Sequence, residues 1–204
     1  MPLGALGTNC YILESESGEC AIIDPGAHAQ KIADEIEYRK ITPRYILLTH
    51  GHYDHIGAAK MLRNQFAGVD IHIGEPDIEM ITSSDLLGIA ARGEDYIIDN
   101  SLAVNDGDEI TLGELTIKAV ATPGHTKGGI CYVTDGVIFS GDTLFNGDIG
   151  RCDLYGGDYK VMLKSLKKLA SLPGNYTVFP GHGDATNLDH ERRTNQYINE
   201  ALRD

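Results

Sequence analysis

Between positions 50 and 55 the chain sets His50, His52, Asp54 and His55 in the string Thr49-His50-Gly51-His52-Tyr53-Asp54-His55. Further groups of the same kind follow: His125 in Thr122-Pro123-Gly124-His125-Thr126, Asp142 in Ser140-Gly141-Asp142-Thr143, and His182 in Pro180-Gly181-His182-Gly183. None is a sulfur donor. A zinc ion usually takes four ligands, and a catalytic one keeps a position for water. Seven imidazoles and carboxylates exceed the needs of one ion and suggest two, with one carboxylate shared. The chemistry they point to is metal-assisted hydrolysis.

The spacing supports this. In an extended segment positions 50, 52 and 54 project to one side, and Asp54 and His55 then open a helix that begins near Ile56. His50 and His52 can hold one ion, which His125 completes. Asp54 and His55 can turn toward a second, which His182 completes, while Asp142 can reach both through its two oxygens. Gly51, Gly124, Gly141, Gly181 and Gly183 permit tight turns and close backbone approach. His28, His72 and His190 stand alone and read as ordinary core or surface groups. A purely structural zinc site is closed and often rich in thiolates, and this set is neither.

Each ligand group follows directly on an apolar run. Tyr45–Leu48 leads into His50, Leu115–Ala121 into His125, Val137–Phe139 into Asp142, and Val178-Phe179 into His182. Strand ends on a rigid sheet can hold loop side chains at a fixed point, so these should converge on one rim. Strands are expected over Asn9–Glu14, Cys20–Asp24, Tyr45–Leu48, Asp70–Ile73, Glu109–Leu112, Leu115–Ala121, Gly129–Thr134, Val137–Ser140 and Tyr176–Phe179. Helices are expected over His28–Arg39, Ile56–Gln65, Tyr159–Ala170 and Leu188–Leu202, with weaker signals at Glu75–Ile81 and Asp85–Ala91. Val161, Leu163, Leu166 and Leu169 alternate with Lys160, Lys164, Lys167 and Lys168, an amphipathic helix against a sheet. Arg92–Ser101 would connect two halves.

At 204 residues and 22.1 kDa, one domain over 1–204 is expected, large enough to bury a real core. No apolar run approaches the length needed to span a bilayer, and Met1-Pro2-Leu3-Gly4-Ala5-Leu6 lacks the pattern of a secretory signal. A cytoplasmic location follows as the simplest expectation, and Cys10, Cys20, Cys131 and Cys152 are then expected as free thiols. The first three sit in apolar runs and read as core residues. A formal charge of −13 argues against a nucleic-acid surface. The expected partner is a small molecule, with neither nucleic acid nor membrane; the oligomeric state is not legible.

The H-x-H-x-D-H set, the T-P-G-H-T loop, the G-D-T-L-F segment, G-x-G-R and the P-G-H-G turn together resemble the metallo-β-lactamase superfamily. Within it the chain is most similar to compact type II glyoxalase-like hydrolases. The resemblance implies an α/β fold, a four-layer αβ/βα sandwich with metals at the edge of two mixed β-sheets. It implies one ion on His50, His52, His125 and Asp142, and another on Asp54, His55, His182 and Asp142. Two divalent ions are expected, zinc first, with iron or manganese as alternatives. A bridging water or hydroxide would attack a carbonyl carbon, with Asp54 orienting it as well as ligating. A thiolate, whose thiol has a pKa of roughly 8.5, leaves with little general-acid help, which favours a thioester of the hydroxyacylglutathione kind.

The chain departs from that pattern in places. The helical domain that follows the metal fold and helps hold glutathione in full-length type II glyoxalases is expected to be absent, since the sequence runs only a short way past Arg192. Where those enzymes read G-K-x-Y, this chain reads Gly150-Arg151-Cys152-Asp153. Arg151 is expected to hold a substrate carboxylate or to be fixed by Asp153, and Lys127 to attract an acidic substrate or stand solvated. Tyr53 should point away from its ligand neighbours and pack. Only Met1–Gly7 precede the Thr8-Asn9-Cys10-Tyr11 segment, so the first sheet is expected to lack an edge strand. The main alternative is a persulfide dioxygenase with a single iron on His50, His125 and Asp142. Lactone or other ester hydrolysis also remains open. A secreted β-lactamase fits less well, lacking an export signal and differing at the Asp142 bridge.

Overall fold

Successive buried side chains of the central strands point to opposite faces, and that alternation of side sorts the chain into layers. In the computed structural model, which describes residues 1–83 and 96–203, β4 (Glu19–Ile23) turns Cys20 and Ile22 to one side and Ala21 and Ile23 to the other. β5 (Thr42–Leu48) does the same with Ile46 and Leu48 against Leu47. The first set packs on α1 (Ala29–Arg39) and α3 (Ala59–Gln65) through Ile32, Ala33, Ile36 and Leu62. The second set meets Ile110, Ile117, Ala119, Tyr132 and Phe139 of a second sheet. The far face of that sheet, Val120, Cys131, Ile138 and Val178, is covered by α5 (Tyr159–Ala170), α6 (Leu188–Thr194) and α7 (Gln196–Ala201). Helices, sheet, sheet, helices: this is the four-layer αβ/βα sandwich that the sequence led us to expect.

The first sheet has the order β3 (Tyr11–Glu14), β4, β5, β6 (Asp70–Gly74), β7 (Leu102–Val104), parallel except at β3. The second runs β13 (Thr186–Asn187), β12 (Thr177–Pro180), β11 (Val137–Gly141), β10 (Ile130–Thr134), β9 (Leu115–Ala121), β8 (Glu109–Leu112). It is antiparallel except between β11 and β12. Parallel neighbours need crossovers, here α1 between β4 and β5 and α5 between β11 and β12. Because β9 and β11 both run antiparallel to β10, the strands that precede His125, Asp142 and His182 all end on one side. The Ile130 N–H to Thr49 C=O bond, 2.8 Å, joins that rim to the end of β5.

Several expected elements are divided, for local reasons. The extended segment at Asn9–Glu14 breaks at Cys10 into β2 (Thr8–Asn9) and β3. β1 (Pro2–Leu3) pairs with β2, and Met1 and Cys10 exchange hydrogen bonds of 2.8 and 2.9 Å. β3 is thus the outer strand of the first sheet. The helix over Ile56–Gln65 is instead α2 (Tyr53–Ile56) and α3, interrupted where Gly57 lies against the Gly26 carbonyl; a Cβ there would come within 2.3 Å of that oxygen. The helix over Leu188–Leu202 divides at Asn195, whose side chain accepts the Tyr197 N–H at 3.0 Å and so caps α7. Glu75–Ile81 forms a 3-10 turn, Glu75–Asp77, followed by α4 (Ile78–Thr82). The expected helix at Asp85–Ala91 and the first part of Arg92–Ser101 lie outside the described residues. Among the described residues no helix is long and apolar enough to cross a membrane. Cys10, Cys20 and Cys131 are buried free thiols.

His72 lies on β6 opposite in face to Ile71 and Ile73, edge-on to Tyr45 at 5.3 Å, its buried Nε2 without a hydrogen bond. Burial lowers its pKa, so the unfolded chain takes up the proton first as pH falls. The stability from neutral His72 is complete above about 6.5, the ordinary imidazole value, and is lost below it. Thermal unfolding of His72→Phe should therefore fall less between about pH 7.5 and about pH 5.5 than that of the parent chain. Equal falls would mean that His72 has the same pKa in the folded and the unfolded chain.

Candidate metal centre

Asp24 follows directly on β4 in the left-handed region, φ 48°, and sends its fully buried carboxylate toward the end of β5. Oδ1 accepts the Thr49 N–H at 2.7 Å; Oδ2 accepts the Thr49 hydroxyl at 2.6 Å and the His55 Nδ1–H at 2.9 Å. With its proton committed to Asp24, Thr49 Oγ1 accepts from His50 Nδ1, 3.0 Å away. Both imidazoles therefore carry the proton on Nδ1 and present Nε2. Each of those Nε2 atoms is buried and has no hydrogen-bond partner.

The other ligand loops close on the same point. His125 donates Nδ1–H to the Arg151 carbonyl at 2.6 Å, which turns its Nε2 inward, 2.9 Å from His52 Nδ1. His50, His52 and His125 form one group able to hold an ion, their ring centroids 4.6–4.8 Å apart. Asp54, His55 and His182 form another, with Asp54 Oδ2 3.5 Å from His55 Nε2 and 3.3 Å from His182 Nε2. Asp142 stands between. Its Oδ1 lies 3.4 Å from His55 Nε2, and its Oδ2 3.5 Å from His125 Nε2 and 3.6 Å from His182 Nε2. Glycine makes room for it: a Cβ on Gly181 would sit 2.3 Å from Asp142 Oδ1. All seven residues singled out in the sequence meet here.

These side chains fit divalent cations. His50 Nε2, His55 Nε2 and Asp142 Oδ1 are buried and unsatisfied, and each such atom costs about 1–3 kcal/mol if nothing binds it. Burial first, then neighbouring imidazoles, holds His50 neutral and pulls His52 down to about 3, so their electron pairs stay available. Burial acts on His55 in the same sense, but the carboxylates of Asp142, Asp24 and Asp54 outweigh it and raise His55 to about 9. For Asp54 burial is outweighed by His182, His55 and Thr8, which hold it below the usual carboxylate range. The carboxylates call for positive charge, which a bound cation would supply in place of the proton that they draw onto His55, and nitrogen with oxygen donors suits zinc, iron or manganese.

A cleft of about 460 Å³ opens onto the cluster, lined by Leu6, Tyr53, Phe145, Arg151, Leu154 and the ligand side chains His52, Asp54, His125, Asp142 and His182 with Gly150. Tyr53 is a correction: it starts α2 instead of continuing the extended alternation, and so faces the cleft. Arg151 lines the cleft, its guanidinium held by Asp153 through bonds of 2.7 and 2.8 Å. Lys127 does not line it; its ammonium bonds Glu79 at 3.0 Å and the Tyr155 hydroxyl at 3.1 Å. Burial first, then Asp153 and Asp158, raises the Cys152 pKa, which leaves it a thiol. Sequence reasoning passed over Asp24 as an orienting group and Thr8, whose hydroxyl donates to Asp54 Oδ2 at 2.8 Å. The signal at Asp24 was a carboxylate placed directly after a buried strand and before Pro25-Gly26.

Asp24→Asn replaces the acceptor of the His55 proton with an amide that can accept from fewer donors. Loss of such an orienting partner typically weakens metal binding roughly 10–100-fold, and dialysis against graded chelator followed by elemental analysis should show it. Unchanged retention would mean His55 needs no such anchor.

Comparison with known proteins agrees with this geometry. The family profile described as the metallo-beta-lactamase superfamily matches residues 3–182. The probable metallo-hydrolase YqgX of Bacillus subtilis is 35% identical, over 98% of this chain and 96% of its own length. The hydroxyacylglutathione hydrolase GloC of Haemophilus influenzae is 33% identical, over 98% and 96%. Among solved structures, the BLEG-1 B3 metallo-beta-lactamase superposes with a TM-score of 0.86 at 34% identity, covering 97% of each chain. TTHA1623, in a di-iron-bound form, gives 0.83 at 34% identity over 97% of this chain and 98% of its own. Likeness of this extent, to proteins of the same length, makes the chain a member of the metallo-β-lactamase superfamily and its rim of histidines and aspartates that of a metal-dependent hydrolase.

Proposed function

We propose that the protein is a binuclear hydrolase of small thioesters. The observation that carries this reading is the seat of Asp142, whose two oxygens face both ligand groups at 3.4–3.6 Å. His50, His52 and His125 would hold one ion and Asp54, His55 and His182 the other, with Asp142 shared. Bound divalent cations supply Lewis acidity, which polarises a carbonyl oxygen and lowers the pKa of water. Thr8 and His182 engage Asp54 Oδ2, and we assign Oδ1 the task of orienting the attacking water. The di-iron form of TTHA1623 supports two ions and leaves iron as an alternative to zinc.

The leaving group is argued from the cleft. Outside the ligand set, the described lining residues include no carboxylic acid, imidazole or thiol, and the Tyr53 phenol is the one weak acid among them. An alkoxide or amine leaving group would call on that phenol for a proton, whereas a thiolate, with a thiol pKa of about 8.5, leaves without one. The likeness to GloC points the same way. Leu6, Phe145 and Leu154 offer apolar walls for an acyl chain, and Arg151 a charge for a carboxylate on the thiol carrier. Free thiols at Cys10, Cys20, Cys131 and Cys152 suit a reducing cytoplasm, and the whole chain, 1–204, is read as one catalytic domain.

The likeness to BLEG-1 favours a second reading, hydrolysis of a β-lactam ring. Elemental analysis of purified protein, with turnover of S-lactoylglutathione, other thioesters, a lactone and a cephalosporin, separates the readings. Two ions per chain and preference for thioesters are expected. A cephalosporin turned over faster than any thioester would replace the first reading by the second. One iron per chain with oxygen consumption on a persulfide would remove both. Asp142→Ala should lower metal content and cut thioester turnover at least about 100-fold; a fully metallated, active variant would contradict the shared carboxylate.

A further inference from the structure

Asp77 is fully buried, lies outside the seven ligand candidates and has no part in the mechanism above. It ends the 3-10 turn after β6 and points its carboxylate between two ligand loops. Oδ2 accepts the Gly51 N–H at 3.0 Å and Oδ1 the Gly128 N–H at 2.6 Å. Gly51 stands between His50 and His52, and Gly128 follows closely on His125. A single carboxylate therefore ties together the loops that carry all the imidazoles of the first group.

The packing around it leaves no space for side chains. A Cβ on Gly128 would lie 2.5 Å from the Asp77 nitrogen and 2.8 Å from its Cβ. One on Gly51 would lie 2.8 Å from Met80 Cβ, and one on Gly74 would lie 2.0 Å from the Gly128 carbonyl oxygen. What this contact must oppose is plain from the histidines. His52 Nδ1 and His125 Nε2 stand 2.9 Å apart, and as ligands both present an electron pair to the same point. Without a cation the His52 Nδ1–H donates to His125 Nε2; ligation of a cation gives up that bond and leaves two facing electron pairs, so the loops must be held together from behind.

We propose that Asp77 is a positioning residue for the first ion: it fixes the loops of His50/His52 and His125 at the separation where their imidazoles share one cation. The inference rests on the binuclear reading only for assigning those three histidines to a single ion. It explains why a carboxylate stands there. Two backbone donors need two acceptor oxygens, and an amide offers one, turning its NH₂ on the other N–H.

The test is ion retention by the full-length chain, loaded with zinc, dialysed against graded chelator and measured by elemental analysis. Asp77→Asn should keep one ion as tightly as the parent and release the other at roughly 10–100-fold lower chelator strength. Adding His52→Ala should remove no further ion, since both changes act on the same one; adding His182→Ala should leave none. Circular dichroism of the metal-free variant should stay native, and if the amide is not accommodated, Asp77→Ser gives the same reading with more room. Glu191→Gln provides the comparison. Its buried carboxylate accepts from Gly147, Thr186 and Asn195 at 3.0, 2.7 and 2.9 Å, and this variant should keep both ions. The inference is overturned if Asp77→Asn holds both ions at parental chelator strength, if its pairing with His52→Ala loses both, or if Glu191→Gln sheds the same ion. A parent chain with only one ion sinks the binuclear reading by itself; Asp77 then fails only if its replacement leaves that ion equally tight.

Discussion

Groups that bind cations repel one another, and this structure is arranged around holding them close despite it. Asp54, Asp142, His50, His52, His55, His125 and His182 bring their donor atoms within a few ångströms, several of them sealed from water. Among the described residues no lysine or arginine reaches into the cluster to neutralise it, and of those lining the cleft Arg151 is the one cation and it is turned onto Asp153. Left to relax, such loops would spread apart and hydrate. The scaffold has to supply the restraint.

It does so with backbone and with carboxylates that are not themselves in the ligand set. Strands β5, β9, β11 and β12 end at one rim, so the loops after them leave a rigid edge instead of wandering. Behind that edge, Asp24 takes the Nδ1 proton of His55 and the hydroxyl that in turn receives His50. The Arg151 carbonyl does the same for His125. Each of these bonds settles a tautomer and an aim together. Hydrogen bonding of this kind is costly to lose in a buried setting, because the donor or acceptor left behind finds no water. The outcome is a preformed site in which open electron pairs all face one way.

Leu6, Phe145 and Leu154 wall the cleft beside the rim of histidines and aspartates, and that lining supports the proposed small acyl substrate with a good leaving group. Lys127, bound to Glu79 and Tyr155, ties the loop after His125 to α4.

The sequence by itself marked the seven candidate ligands and, through its likeness to a known family, the layering. Histidine and aspartate at short intervals after apolar runs leave few alternatives, whereas Cys20–Ile23 and Ile46–Leu48 are apolar throughout and only the fold shows which layer each side chain faces. Tertiary structure decided what local patterns cannot express. The helix breaks after Gly57 where the Ala58 N–H turns to the distant Pro25 carbonyl at 2.8 Å, and residue 57 must be glycine because the Gly26 carbonyl occupies the space a side chain would need. Tyr53 faces the cleft because the chain has already coiled into α2 at that residue. Asp24 and Asp77 become anchors only when strands and turns far apart in sequence bring an imidazole and two amide N–H groups to them. Composition carries no trace of such contacts, since a carboxylate's role is set by the donors that folding places around it.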